Sequence, residues 1–99
     1  MGATVITAEI RTTSENKLRK IFKEMQEEDR QYYGDDPYGA NWSNAGRLQV
    51  VPYAAAPKSW TKKSKWAALD YLENRAEKYG NTLVIKTKTS FLIAACVPE

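Results

Sequence analysis

Seven consecutive apolar residues, Phe91-Leu-Ile-Ala-Ala-Cys-Val97, lie between Ser90 and Pro98. An unbroken run of this kind is what a central strand of a sheet carries, and it is far too short to cross a membrane as a helix. The remaining periodic segments have to be arranged around it. Thr4–Arg11 alternates, with Ile6, Ala8 and Ile10 on one side and Val5, Thr7, Glu9 and Arg11 on the other, the pattern of a half-buried strand. Arg47–Val51 alternates again, with Leu48 and Val50 sharing a face and Pro52 closing it. Leu83–Lys88 is rich in β-formers and leads through Lys-Thr-Lys-Thr-Ser into the apolar run.

Two helical patterns separate these strands. Leu18, Ile21, Phe22, Met25 and Tyr32 recur at helical spacing, opposite a charged face of Lys20, Lys23, Glu24 and Glu27. Thr12 and Glu15 stand at capping-box spacing, Ser14 is an alternative N-cap, and Gly34 is a natural C-terminal stop. Ser64 or Thr61 starts the second helix, whose apolar positions are Ala68, Leu69, Leu72, Ala76 and Tyr79, with Gly80-Asn81 ending it. Ile21 and Leu72 are both expected in the core. The expected fold class is α+β: a two-layer α/β sandwich of order β-α-β-α-β-β, with a mixed sheet and both helices on one face. The last two strands should form an antiparallel hairpin, and the helical crossovers favour parallel pairs.

The 99 residues make a single α/β domain, 1–99, of ordinary globular composition, 42% apolar and 27% charged. The first residues lack the basic and apolar regions of a secretory signal, and Ile6 stands where a myristoylation motif requires Ser or Thr. The one cysteine, Cys96, excludes an internal disulfide and fits a reducing, cytoplasmic compartment; within the apolar run it reads as a small buried hydrophobe. The chain has no histidine. This removes Ser-His-Asp and Cys-His nucleophile systems and the usual zinc sites. No cofactor signature is present, and the expectation is a protein without cofactor or metal that is not an enzyme.

Between the first helix and the second strand lies Tyr32-Tyr-Gly-Asp-Asp-Pro-Tyr-Gly-Ala-Asn-Trp-Ser-Asn-Ala-Gly46. It is too aromatic for a disordered linker, and long loops in small domains are usually functional. Tyr33, Asp35, Asp36, Tyr38 and Trp42 are therefore candidate binding residues. Gly34 and Gly39 have the glycine spacing of a P-loop, but Ala40-Asn41 replaces the Lys-Ser/Thr that grips phosphate and magnesium. Glu27, Glu28, Asp29, Asp35 and Asp36 form an acidic cluster that matches no metal loop; turn initiation by Asp35 and Asp36 accounts for them more simply.

The formal charge is +3, and the basic excess lies in the second part of the chain. Residues 1–57 hold seven basic and eight acidic groups, residues 58–99 eight basic and four acidic. It is densest in Lys58-Ser-Trp-Thr-Lys-Lys-Ser-Lys-Trp66. Lysines for phosphates and indoles for stacked bases are the composition of a single-strand nucleic-acid surface, so Trp60, Lys62, Lys63, Lys65 and Trp66 complete the candidate binding set. The competing reading is a solvated helix start with snorkelling lysines. Against that, cations at a helix N-terminus are opposed by the macrodipole.

The order strand, helix, Tyr33-Gly-Asp-Asp-Pro-Tyr-Gly39, strand, helix ending Lys78-Tyr-Gly80, then an apolar strand resembles small α/β proteins of bacteriophages and mobile elements that carry a Y-G-x-D-x-Y-x-G-like loop. The resemblance implies a setting in a host cell's cytoplasm and action by binding. The first expectation is a non-enzymatic inhibitor of a host or defence-system macromolecule, of anti-CRISPR-like type. The alternatives are a nucleic-acid-binding accessory protein using 58–66, or a sponge for a small anionic nucleotide. A metal-dependent hydrolase at the acidic cluster ranks last.

Overall fold

Four strands and two helices follow one another as β1 (Ala3–Ile10), α1 (Glu15–Tyr33), β2 (Leu48–Val50), α2 (Lys62–Glu73), β3 (Thr82–Lys86) and β4 (Phe91–Pro98), with a 3-10 turn at Trp42–Asn44. This computed structural model describes residues 3–34, 41–53, 56–77 and 80–98, with only the backbone of Tyr33. Asp35, Asp36 and Tyr38 of the loop, and Lys78 and Tyr79 near the predicted end of the second helix, lie outside the described residues.

The sheet is mixed, with strand order β1-β4-β3-β2. β4 is central, antiparallel to β1 from Ala3↔Pro98 to Ile10↔Phe91 and antiparallel to β3 in the expected hairpin. β2 pairs with β3 in parallel, Leu48↔Thr82 to Val50↔Val84. The continuous apolar run is thus the strand with neighbours on both sides, as its composition requires.

The element order and the α+β class agree with the sequence reading, but the helices do not share a face. One core cluster joins Leu18 and Phe22 of α1 to Ile10, Val84, Phe91 and Ile93. The other joins Ala68 and Leu72 of α2 to Leu83, Ile85, Leu92 and Ala94. Successive strand residues point to opposite sides, so the helices cover opposite faces and the sandwich has three layers. Connectivity explains the correction. From β1 to β2 the chain crosses the whole sheet in one direction, and from β2 to β3 it steps back. A crossover that keeps the same right hand while its direction of travel reverses must change faces.

The helix ends follow local chemistry. Ser14, not Thr12, caps α1 by accepting from the Lys17 N–H, and Gly34 ends it at φ +70, which glycine adopts without steric cost. Thr61 caps α2, and Ser64 returns the bond, its Oγ accepting from the Thr61 N–H at 2.7 Å. α2 ends at Glu73, earlier than the apolar spacing predicts, although Ala76 still packs against the α2-side cluster. The residues beyond it bring the chain back into the sheet, where Gly46 and Gly80 meet so closely that a Cβ on Gly46 would overlap the Gly80 carbonyl oxygen.

Candidate nucleic-acid interface

β1 ends at Ile10 and Ser14 already caps α1; β2 ends at Val50, and the N-terminal turn of α2 lies against the end of β1. Both helix N-termini therefore sit at the carboxyl ends of the parallel strands, where ligands of open α/β sheets usually bind. Charge is segregated along the same axis. The first half of α1 carries Lys17, Arg19, Lys20 and Lys23 against Glu15; the second half carries Glu24, Glu27, Glu28 and Asp29 against Arg30. α2 repeats the arrangement, with Lys62, Lys63 and Lys65 at its start and Asp70 and Glu73 at its end. α2 thus holds its charges against its own macrodipole, which disfavours cations at the N-terminus and carboxylates at the C-terminus, whereas the terminal turns of α1 carry Glu15 first and Arg30 last, as the dipole favours. Helix stability does not explain the distribution on α2.

At the basic end, Glu9, Arg11, Lys62, Lys65, Trp66, Leu69 and Leu92 line a depression of about 380 Å³ between β1 and α2. Trp66 is 65% exposed, and the Lys62 Nζ stands 5.5 Å from its ring centroid. Lys62 and Lys63 are exposed. Lys65 is not a free cation: its Nζ lies 2.6 Å from Glu9 Oε2, and the Ser90 hydroxyl donates to the same oxygen at 2.7 Å. Ser90 is in turn held by Thr87, their hydroxyls 2.8 Å apart in the buried hairpin turn. The Lys65 ammonium, then the Ser90 hydroxyl, keep the Glu9 carboxyl below the usual glutamate range, against the opposing effect of burial.

This network predicts an acid-side effect. Because folding lowers the Glu9 pKa, its contribution is complete above the ordinary glutamate value of about 4.3. It is lost as the pH falls through the lower folded value. Urea midpoints for Glu9→Gln and the unchanged protein should therefore differ at neutral pH, by up to about 1 kcal/mol for a pair this near the surface, and converge in acid. A constant difference across that range would assign the pair no proton-linked role.

The other candidate residues separate into different environments. Trp60 is half-buried beside Tyr53, ring centroids 6.1 Å apart, and packs against the α2-side core cluster. Trp42 is half-buried on the opposite face, edge-on to Phe22 with centroids 6.0 Å apart at 78°. Its segment is clamped by α1: the Asp29 carboxylate accepts the Trp42 N–H at 2.6 Å, and the Gln26 amide donates to the Trp42 and Ala45 carbonyls. Trp42 thus packs half-buried against the α1-side core, on the face away from the depression beside Trp66; Asp29 of the acidic cluster is a structural acceptor. Among the described residues no three carboxylate or cysteine side chains converge as metal ligands do. Cys96, expected to be buried, is half-buried on β4. Among the described residues no helix is long and apolar enough to cross a membrane.

The structure therefore brings Lys62, Lys65 and Trp66 together and adds Glu9 and Arg11, which the sequence reading placed only as outward-facing strand residues. The signal for them was their position at the end of an alternating strand, which gains meaning only once α2 is seen to lie across it. The chain matches no family model, no curated protein and no solved structure.

Proposed function

We propose that this protein acts by binding, without covalent chemistry, and that its partner is a single-stranded nucleic acid held on the N-terminal face of α2. The observation that carries this reading is Trp66, an indole left mostly in solvent with a lysine over its ring. A tryptophan recruited for packing would be covered, as Trp42 and Trp60 largely are. A base stacks on the indole while Lys62, Lys63 and Arg11 meet phosphates. Glu9 neutralises Lys65 within the depression, so the phosphate path runs over its rim. On the resemblance to phage and mobile-element proteins, the target would belong to a host or its defence machinery; that setting is a proposal of the same standing, and the binding test does not depend on it.

The test is fluorescence anisotropy of a labelled oligothymidine of about ten nucleotides, within the site sizes of such surfaces. Trp66→Ala should weaken binding about tenfold, the effect of losing one stacked base. Lys62→Glu with Lys63→Glu should weaken it further and flatten the dependence of log K on log salt by about 0.7 for each phosphate that is no longer neutralised. Urea midpoints should stay within about 0.5 kcal/mol of the unchanged protein for these surface sites. Unaltered affinity in both variants would exclude the face. Saturation by a mononucleotide, with no gain from length, would assign it to a small anionic nucleotide.

A further inference from the structure

On the opposite face a groove of about 790 Å³ runs between α1 and the N-terminal end of β2. Arg19 and Lys23 rise from the helix side, Arg47 from the strand side, and Phe22, Ala45 and Leu48 contribute the apolar floor. All three cations are exposed, none has an ion-pair partner among the described residues, and no carboxylate among those residues lines the groove. β2 is an edge strand. The Arg47 carbonyl accepts from the Thr82 N–H at 2.7 Å, and the Val51 N–H donates to the Val84 carbonyl at 2.9 Å. Backbone groups in a parallel strand alternate in direction, so Gln49 also faces β3, and the N–H and C=O groups of Leu48 and Val50 point away from the sheet. Val50 is 53% exposed beside them.

We infer that this groove is a docking site for an acidic, extended peptide segment that adds to β2 as a further strand. Strand addition supplies main-chain hydrogen bonds at Leu48 and Val50, and a neighbouring groove selects alternate side chains. Here the apolar floor takes an aliphatic side chain while the cations meet carboxylates on either side of it. A nucleic acid fits less well. Phe22 is 6% exposed and stacks edge-to-face with Trp42, so among the described residues the groove presents no open aromatic face on which a base can stack. The site is independent of the α2 face proposed for nucleic acid.

The probe is a labelled peptide of about ten residues alternating glutamate and valine, with a lysine–valine peptide of equal length as control; ten residues exceed the length of β2 several-fold. The glutamate peptide should saturate, the control should not, and amide exchange at Leu48 and Val50 should slow on binding. Val50→Pro removes one outward N–H while leaving the β2–β3 bonds in place, a position where edge strands tolerate proline. Arg19→Glu with Arg47→Glu reverses charge on both sides of the groove without touching the backbone. Each should weaken the glutamate peptide about tenfold or more, with oligothymidine binding unchanged. Equal binding of both peptides, no saturation, or indifference to both variants would overturn the proposal. So would protection of Leu48 and Val50 that rises with protein concentration alone, which would assign the edge to a second copy, or oligothymidine binding abolished by Arg19→Glu and Arg47→Glu, which would assign the groove to nucleic acid.

Discussion

Leu72→Ala is expected to lower the free energy of unfolding by about 2–5 kcal/mol, the range for deleting a large aliphatic side chain from a closed core. Leu72 is fully buried, in the cluster that also holds Leu83, Ile85, Leu92 and Ala94. No solvent reaches the site, so truncation leaves a cavity that the sheet on one side and α2 on the other cannot readily close. For a domain whose total stability is of order 5–15 kcal/mol, this is a large fraction. Ile21→Ala should cost clearly less, because Ile21 is half-buried at the edge of the α1-side cluster and part of the deleted surface already faces water. Urea midpoints read at constant m-value decide it. A negligible shift for Leu72→Ala would remove α2 from the core face assigned to it.

The stripes that placed Leu18, Phe22 and Leu72 inside were legible because helical spacing reports burial directly. The caps were legible for a similar reason: Thr61, Ser64 and Gly34 act over a few residues of chain. The arrangement of the layers was not, since it depends on strand order, which no local period encodes. Even so, Phe91–Val97 carried a clue. A strand covered on one face alternates, and this run has Phe91 and Ile93 packing toward α1 and Leu92 and Ala94 toward α2. Apolar residues at every position therefore pointed to two covered faces. α2 shows the converse: Ala76 keeps the helical period after the helix has ended, because the period follows packing against the sheet and not the backbone hydrogen bonds. At the candidate interface, Lys62 and Trp66 were visible as neighbours in sequence. Lys65 and Ser90 meet Glu9 only through the fold, Ser90 lying 81 positions along the chain from Glu9.

The three tryptophans turn that lesson into a measurement. In sequence Trp42 and Trp66 are both candidate binding residues; the fold separates them, with Trp42 half-buried against Phe22 and Trp66 65% exposed. Trp42→Ala is expected to cost about 3 kcal/mol, the lower end of the range for deleting a large aromatic side chain, since the ring is half-buried. The cost combines its packing on Phe22 and the cover that the 41–45 segment gives to the sheet's α1 face. The polar clamp should not compensate. Asp29 and Gln26 bond the Trp42 and Ala45 backbone, and these bonds survive only while the segment stays seated. Trp66→Ala, by contrast, should leave the urea midpoint within about 0.5 kcal/mol of the unchanged protein, as a surface change does. A neutral Trp42→Ala together with a destabilising Trp66→Ala would invert the assignment and return the working surface to the loop before β2.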